Sequence, residues 1–128
     1  MSKKAILILD DEPSITYSLS RCLESDYVSV ISCNDSYSAK MVITDHGIDA
    51  VIADIRISAV NLRESIDFIH FVRSRYEDLP LIMMSGTEEM KSEVMEEGAN
   101  YFFQKPVDVD ELIHLLHHLG LEAGPKVV

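Results

Sequence analysis

Tryptophan is absent from these 128 residues, cysteine occurs twice, and bases are scarce, with 11 Lys and Arg against 22 Asp and Glu for a formal charge of −11. Counterion release from nucleic acid needs clustered Lys and Arg, so this segment is not expected to bind nucleic acid directly or to adhere to an anionic membrane surface. Cys22 and Cys33 lack a second pair and CxxC spacing, which argues for two free thiols rather than a disulfide framework or a zinc site. No apolar run approaches the roughly 18 residues that span a bilayer. Met1-Ser2-Lys3-Lys4 leads straight into a short strand-like run and lacks the layout of a signal peptide, so the sequence reads as cytoplasmic. With 47% apolar residues, the chain has the core-forming content of one domain.

The apolar residues alternate between short unbroken runs and stretches of helical period, as expected for strands covered on both faces by helices. The runs are Ala5–Leu9, Tyr27–Cys33, Ala50–Ala53, Leu81–Met84 and Tyr101–Phe103. Pro13 suits the first turn of a helix whose apolar face carries Ile15, Leu19, Cys22 and Leu23. Ala39, Val42, Ile43 and His46 form a second stripe, Ile66, Ile69, Val72 and Tyr76 a third, and Met90 with Val94 a short fourth. Asp108 and Glu111 have the spacing of a capping box before Leu112, Leu115, Leu116 and Leu119. Strand–helix alternation with short connections predicts a doubly wound α/β sandwich around a parallel sheet over residues 1–119. Residues 120–128, with Gly124-Pro125, read as a frayed tail or the start of a linker.

In an open α/β sheet, ligands collect beyond the carboxyl ends of the strands. Asp10-Asp11-Glu12 follow the first run, Asp54 the third, Ser85-Gly86-Thr87 the fourth and Gln104-Lys105-Pro106 the fifth. If these four strands are neighbours, three carboxylates, a hydroxyl and an ammonium meet at one edge. Two carboxylates 4 Å apart repel by about 4 kcal/mol at an effective dielectric near 20, so such a cluster calls for a cation. Mg²⁺ suits it, because it takes hard oxygen ligands and pairs a few carboxylates with a phosphate. An aspartate there can attack a phosphoryl group to form an acyl phosphate, with Lys105 and Ser85 placed to offset charge on the phosphoryl oxygens.

With Asp10-Asp11, Asp54, Ser85 and Lys105-Pro106 after four of five strands, the chain resembles the receiver (phosphoacceptor) domain of two-component response regulators from about residue 4 to residue 119. The resemblance implies strand order 2-1-3-4-5 and Asp54 as the phosphoacceptor. It also implies Asp11 and Asp54 as Mg²⁺ ligands, Asp10 as a ligand acting largely through water, and the Arg56 carbonyl as a further ligand. Lys105 and Ser85 would serve phosphotransfer, Ser85 and Phe102 would act as switch residues, and the Lys105–Pro106 bond would be cis. Such a module takes its phosphoryl group from a histidine kinase or phosphotransfer protein and acts on a downstream protein or on its own output domain. It is not an enzyme beyond promoting its own phosphotransfer and dephosphorylation. Ser58 and Leu62 stand where the family has Pro and Gly, Ser65 takes the glycine's place, and the loop from Ile55 to Glu64 is longer than the family's. The segment from Ser85 to Gly98-Ala99 is shorter, which predicts a short or irregular fourth helix.

Each residue also has a plainer reading. Asp10-Asp11-Glu12 could cap the first helix through its dipole, but that leaves Asp54 and Lys105 unexplained. Lys105 could be a solvated lysine, Ser85 a turn residue, and Phe102 and Phe103 core residues. His114, His117 and His118 could chelate a transition metal but lie off the leucine stripe, which favours a solvated face. Arg56, with Thr87, could shield an acyl phosphate from water, or Arg56 could pair with Glu64 in solvent. A degenerate receiver that binds partners without phosphorylation is the alternative function. A phosphatase of the haloacid dehalogenase type needs a second aspartate two residues after the first, where Arg56 stands. A flavodoxin-like nucleotide binder needs an anion loop where the acidic run would repel phosphate.

Overall fold

The computed structural model describes residues 3–55 and 59–125, with residues 59–62 described by their backbone alone. The elements run β1 (Lys4–Leu9), α1 (Pro13–Leu23), β2 (Val28–Cys33), α2 (Ser36–Asp45), β3 (Ala50–Asp54), α3 (Ala59–Arg75), β4 (Leu81–Ser85), α4 (Lys91–Glu97), β5 (Tyr101–Gln104) and α5 (Val109–His118). All strand pairs are parallel, in the order β2-β1-β3-β4-β5. This is the doubly wound five-stranded sheet expected from the sequence.

Side chains on a strand alternate between faces, and the core is divided accordingly. Ile6 and Ile8 of β1, with Ile82 and Met84 of β4, pack against Leu19 and Leu23 of α1 and Leu112 and Leu116 of α5. Leu7, Leu9 and Met83 point the other way, onto Ala39 and Ile43 of α2, Phe68, Ile69 and Val72 of α3, and Val94 of α4. Each such aliphatic burial contributes about 1.5–3 kcal/mol, which explains why the central strands are unbroken apolar runs. Cys33 closes β2 inside the second cluster, where burial first and nearby Asp35 second push its thiol pKa up.

Local signals set the helix ends. Pro13 occupies the first helical turn of α1. Asp35 caps α2 by accepting from the Ser38 N–H at 2.7 Å, and Asp108 caps α5 by accepting from the Glu111 N–H at 3.2 Å. His46 leaves its expected stripe and is exposed, because it is the C-cap of α2, where the helical period stops. Tyr76 lies past the end of α3 and is 41% exposed, and its hydroxyl donates to the Ile43 carbonyl. The backbone is helical from Ala59, so much of the expected long loop is instead an early start to α3. The fourth helix is short, at seven residues.

Residues 120–125, in the segment expected as a frayed tail or the start of a linker, are packed against the helices. Gly120, at φ 87°, takes the left-handed conformation that ends α5, the Leu121 N–H donates to the Leu116 carbonyl, and the Gly120 N–H donates to that of His117. This Schellman turn sends the chain back over the helix, and Leu121 and Ala123 enter the α1–α5 cluster. Ser25 Oγ then donates to the Glu122 carbonyl at 2.6 Å, and the Gly124 N–H donates to that of Leu23 at 2.9 Å. His117 Nε2 lies 2.6 Å from the Ala123 carbonyl, so this histidine has a partner while His114 and His118 remain exposed.

Beside the starts of β4 and β5, Arg73 joins α3 to the turns around it. Its guanidinium donates to the carbonyls of Gly98, Tyr76 and Leu79 at 2.8, 3.0 and 2.8 Å, and to Asn100 Oδ1 at 2.6 Å. Burial lowers its pKa, partly opposed by Asp78. Gly98 has φ 129°, and a Cβ there would lie 2.8 Å from Arg73 Cγ, so both backbone and packing require glycine.

Candidate functional site

Sheet order makes β1, β3, β4 and β5 neighbours, so the residues after them meet at one edge. Asp10 is fixed there through its backbone: its N–H donates to the Cys33 carbonyl at 3.1 Å, and its own carbonyl accepts from Asn34 Nδ2 at 2.8 Å. Its carboxylate accepts from the Glu12 N–H at 3.0 Å, and the residue is 1% exposed. Register places Asp54 beside Met84 and Ser85 beside Gln104, and the Lys105 N–H donates to the Ser85 carbonyl at 2.7 Å. The Lys105–Pro106 bond is cis.

Lys105 Nζ reaches Asp10 Oδ2 at 2.7 Å and Asp54 Oδ1 at 2.9 Å, and so bridges residues from the first and third strand ends. Burial works against its charge, but the hydrogen bonds and charges of the two carboxylates prevail and hold its pKa above the ordinary lysine value. One ammonium between two carboxylates leaves an excess negative charge. Asp10, Asp11 and Glu12 also bring carboxylate oxygens within 4.8 Å of one another. This all-oxygen, hard and anionic donor set fits a Mg²⁺ ion. Among the described residues, the grouping takes in Glu12 in place of Asp54, whose carboxylate is turned to Lys105.

Beside these carboxylates lies a cleft of about 160 Å³ walled by Asp10, Asp11, Asp54, Ser36, Glu64 and Phe68. Ser36 Oγ donates to Glu64 Oε1 at 2.6 Å. Ser85 is fully buried, and its hydroxyl accepts from the Thr87 N–H at 3.3 Å. Phe102 is half-buried against the α2–α4 cluster, with Lys91 Nζ 5.9 Å from its ring centre. Arg56, and with it the expected carbonyl ligand, lies outside the described residues.

The sequence reading missed Asn34, Ser36 and Phe68 as site residues, and named Ser65 only as the residue in the glycine's place. Ser65, Phe68, Ile69 and Val72 follow the i, i+3, i+4, i+7 spacing and are all buried, so counting a serine on the apolar face would have found Phe68. Asn34 and Ser36 follow the second strand, an edge of the sheet that carries none of the charged motifs, and only the folded geometry brings them to the cleft.

Comparison with known proteins agrees with this geometry. The two-component response regulator PprB of Pseudomonas aeruginosa is 33% identical over 127 residues, which cover 96% of this chain and 46% of that protein. A putative NtrX-like response regulator of Rickettsia typhi is 30% identical over 118 residues, 91% of this chain and 25% of that protein. The chain thus spans between a quarter and half of these relatives. A CheY-like receiver domain protein of Methanospirillum hungatei superposes with a TM-score of 0.80 at 21% identity, covering 93% of this chain and 95% of that one. The response regulator TrrA of Thermotoga maritima, solved in complex with Mg(2+)-BeF, superposes with a TM-score of 0.78 at 22% identity, covering 91% and 98%. The family model described as the response regulator receiver domain matches residues 6–117, and the chain belongs to that family, a signalling module of two-component phosphorelays.

Proposed function

We propose that Asp54 is the phosphoacceptor and that it takes its phosphoryl group from a phosphohistidine of a histidine kinase or phosphotransfer protein. The observation that carries this reading is the Lys105 ammonium held between Asp10 and Asp54 at 2.7 and 2.9 Å. A carboxylate oxygen of Asp54 attacks phosphorus, the P–N bond to the donor imidazole breaks, and the imidazole nitrogen leaves with a proton from solvent. Lys105 exchanges its contact with Asp54 for a phosphoryl oxygen, and the Ser85 hydroxyl donates to another. Asp10, Asp11 and Asp54 would hold Mg²⁺ with the Arg56 carbonyl, and the bound ion offsets charge on the phosphoryl oxygens.

Ser85 and Phe102 then carry the change to α4 and β5, where a downstream protein or an output domain of the same regulator reads it. No described helix is long and apolar enough to cross a membrane. A kinase donor places this module in the cytoplasm. The intact Asp10, Asp11, Asp54, Ser85 and Lys105 argue against a degenerate module that only docks partners.

The test is intact mass after incubation with acetyl phosphate and Mg²⁺. Wild type gains one phosphoryl group and Asp54→Asn gains none, and undiminished labelling of the variant would overturn the assignment.

A further inference from the structure

Ser36 and Glu64 lie 28 residues apart in sequence, yet both wall the cleft beside Asp54 and are joined by the 2.6 Å hydrogen bond. Ser36 is held in place from both sides. Before it, Asn34 Nδ2 donates to the Asp10 carbonyl at 2.8 Å and to Thr16 Oγ1 at 3.2 Å. Across it, Asp35 accepts from the Ser38 N–H and hydroxyl at 2.7 and 2.9 Å. Glu64 sits in α3 directly before buried Ser65, and Phe68 one turn further on forms the cleft wall. The bond therefore ties the first residue of α2 to α3 on the side of the cleft away from Ser85 and Lys105.

We propose that the Ser36–Glu64 pair is a clasp that restricts the approach of water to phosphorylated Asp54 and so prolongs the phosphorylated state. The proposal rests on Asp54 being the phosphoacceptor. In hydrolysis a water oxygen forms a new bond to phosphorus, the bond from phosphorus to the Asp54 oxygen breaks, the aspartate leaves as a carboxylate, and a water proton goes to solvent. Neither clasp residue enters this exchange. Both act by position, through the fraction of time the α2–α3 side of the cleft is closed. A hydrogen bond to an ionised acceptor resists thermal opening, and its loss exposes the site more often.

The experiment follows phosphate release after labelling with phosphoramidate and Mg²⁺, for wild type, Ser36→Ala, Glu64→Ala, the double variant and Glu64→Gln. Each alanine variant is expected to lose its phosphoryl group about threefold to tenfold faster, the range a single hydrogen bond supports. The double variant should decay no faster than either single one, because each alone breaks the same bond. Glu64→Gln keeps an acceptor oxygen and should stay near the wild-type rate, a rescue that a general loosening of the loop would not give. Wild-type decay in the alanine variants, additive effects in the double variant, or Glu64→Gln matching Glu64→Ala would overturn the clasp and leave Asp54 as phosphoacceptor. A wild type that takes no label would instead overturn the phosphoacceptor reading, and the clasp with it.

Discussion

Arg73 and Lys105 are both part-buried cations that join distant segments, and they do so with opposite kinds of partner. Arg73 is engaged by three carbonyls and an amide oxygen, all neutral, and burial pulls its pKa down. Lys105 lies between two carboxylates, which raise its pKa against the effect of burial. The guanidinium holds a fixed set of partners in fixed directions and has nothing to exchange, which suits a structural joint. The ammonium is a compact charge that can leave one oxygen for another as charge arrives, which suits a reacting site. Local charge balance, more than burial, separates the corner that holds the fold from the corner proposed to carry the chemistry.

The widest separation between the two should come from Lys105→Met. Labelling by acetyl phosphate is expected to fall roughly 10²-fold, the cost of removing one preorganised donor to a phosphoryl group. The variant should also gain more thermal stability from Mg²⁺ than wild type does, since two carboxylates then face each other without their cation. Arg73→Ala should cost about 2–4 kcal/mol of stability in a urea titration, because it strands several carbonyls, and should leave labelling intact. Equal loss of labelling in both variants would break the comparison.

Gly98→Ala presses on the same structural joint from the other side. Positive φ and the close approach to Arg73 are expected to cost about 1–3 kcal/mol, again without loss of phosphorylation. Asp108→Ala, which removes the cap of α5, should cost about 1 kcal/mol.

The pH dependence also distinguishes the two corners. Because the folded-state pKa of Lys105 is raised, its stabilisation is complete below the unfolded value near 10.5 and is lost as pH rises through the folded value. Wild type should therefore lose stability on alkaline titration more steeply than Lys105→Met. Asp35 behaves in the opposite sense, because hydrogen bonds from Ser38 lower its pKa. Its contribution is present above 3.8 and is lost as pH falls through the folded value, so Asp35→Asn should flatten the acid limb of the melting curve.

The charged part of the site could be read from the sequence because each member follows an apolar run, and strand ends are where a doubly wound sheet gathers its ligands. Asp10, Asp54, Ser85 and Lys105 needed only the strand order to be brought together. The clasp could not be read, since Ser36 opens α2 behind an edge strand and Glu64 belongs to a helix whose early start at Ala59 carries no Gly or Pro to mark it. The turn after α5 is ambiguous in the sequence for a different reason. Gly120 signals a helix end equally well whether the chain then frays or folds back, and the inward placement of Leu121 and Ala123 decides between them. Tertiary packing settled what the local signals left open.

The burial of Cys33 supplies an intrinsic reporter of the site's integrity. A maleimide reacts with a thiolate, and Cys33 is both covered and biased toward the thiol, whereas Cys22 is only half-buried. Brief alkylation should therefore modify Cys22 first, and the slower modification of Cys33 becomes a clock for openings on the α2 side of the sheet. Because the Cys33 carbonyl holds the Asp10 N–H, an opening that bares the thiol by peeling β2 from β1 also releases the aspartate. Slower alkylation of Cys33 when Mg²⁺ is added would then measure, without a probe attached to the acidic edge, how strongly a filled site holds the second strand in place.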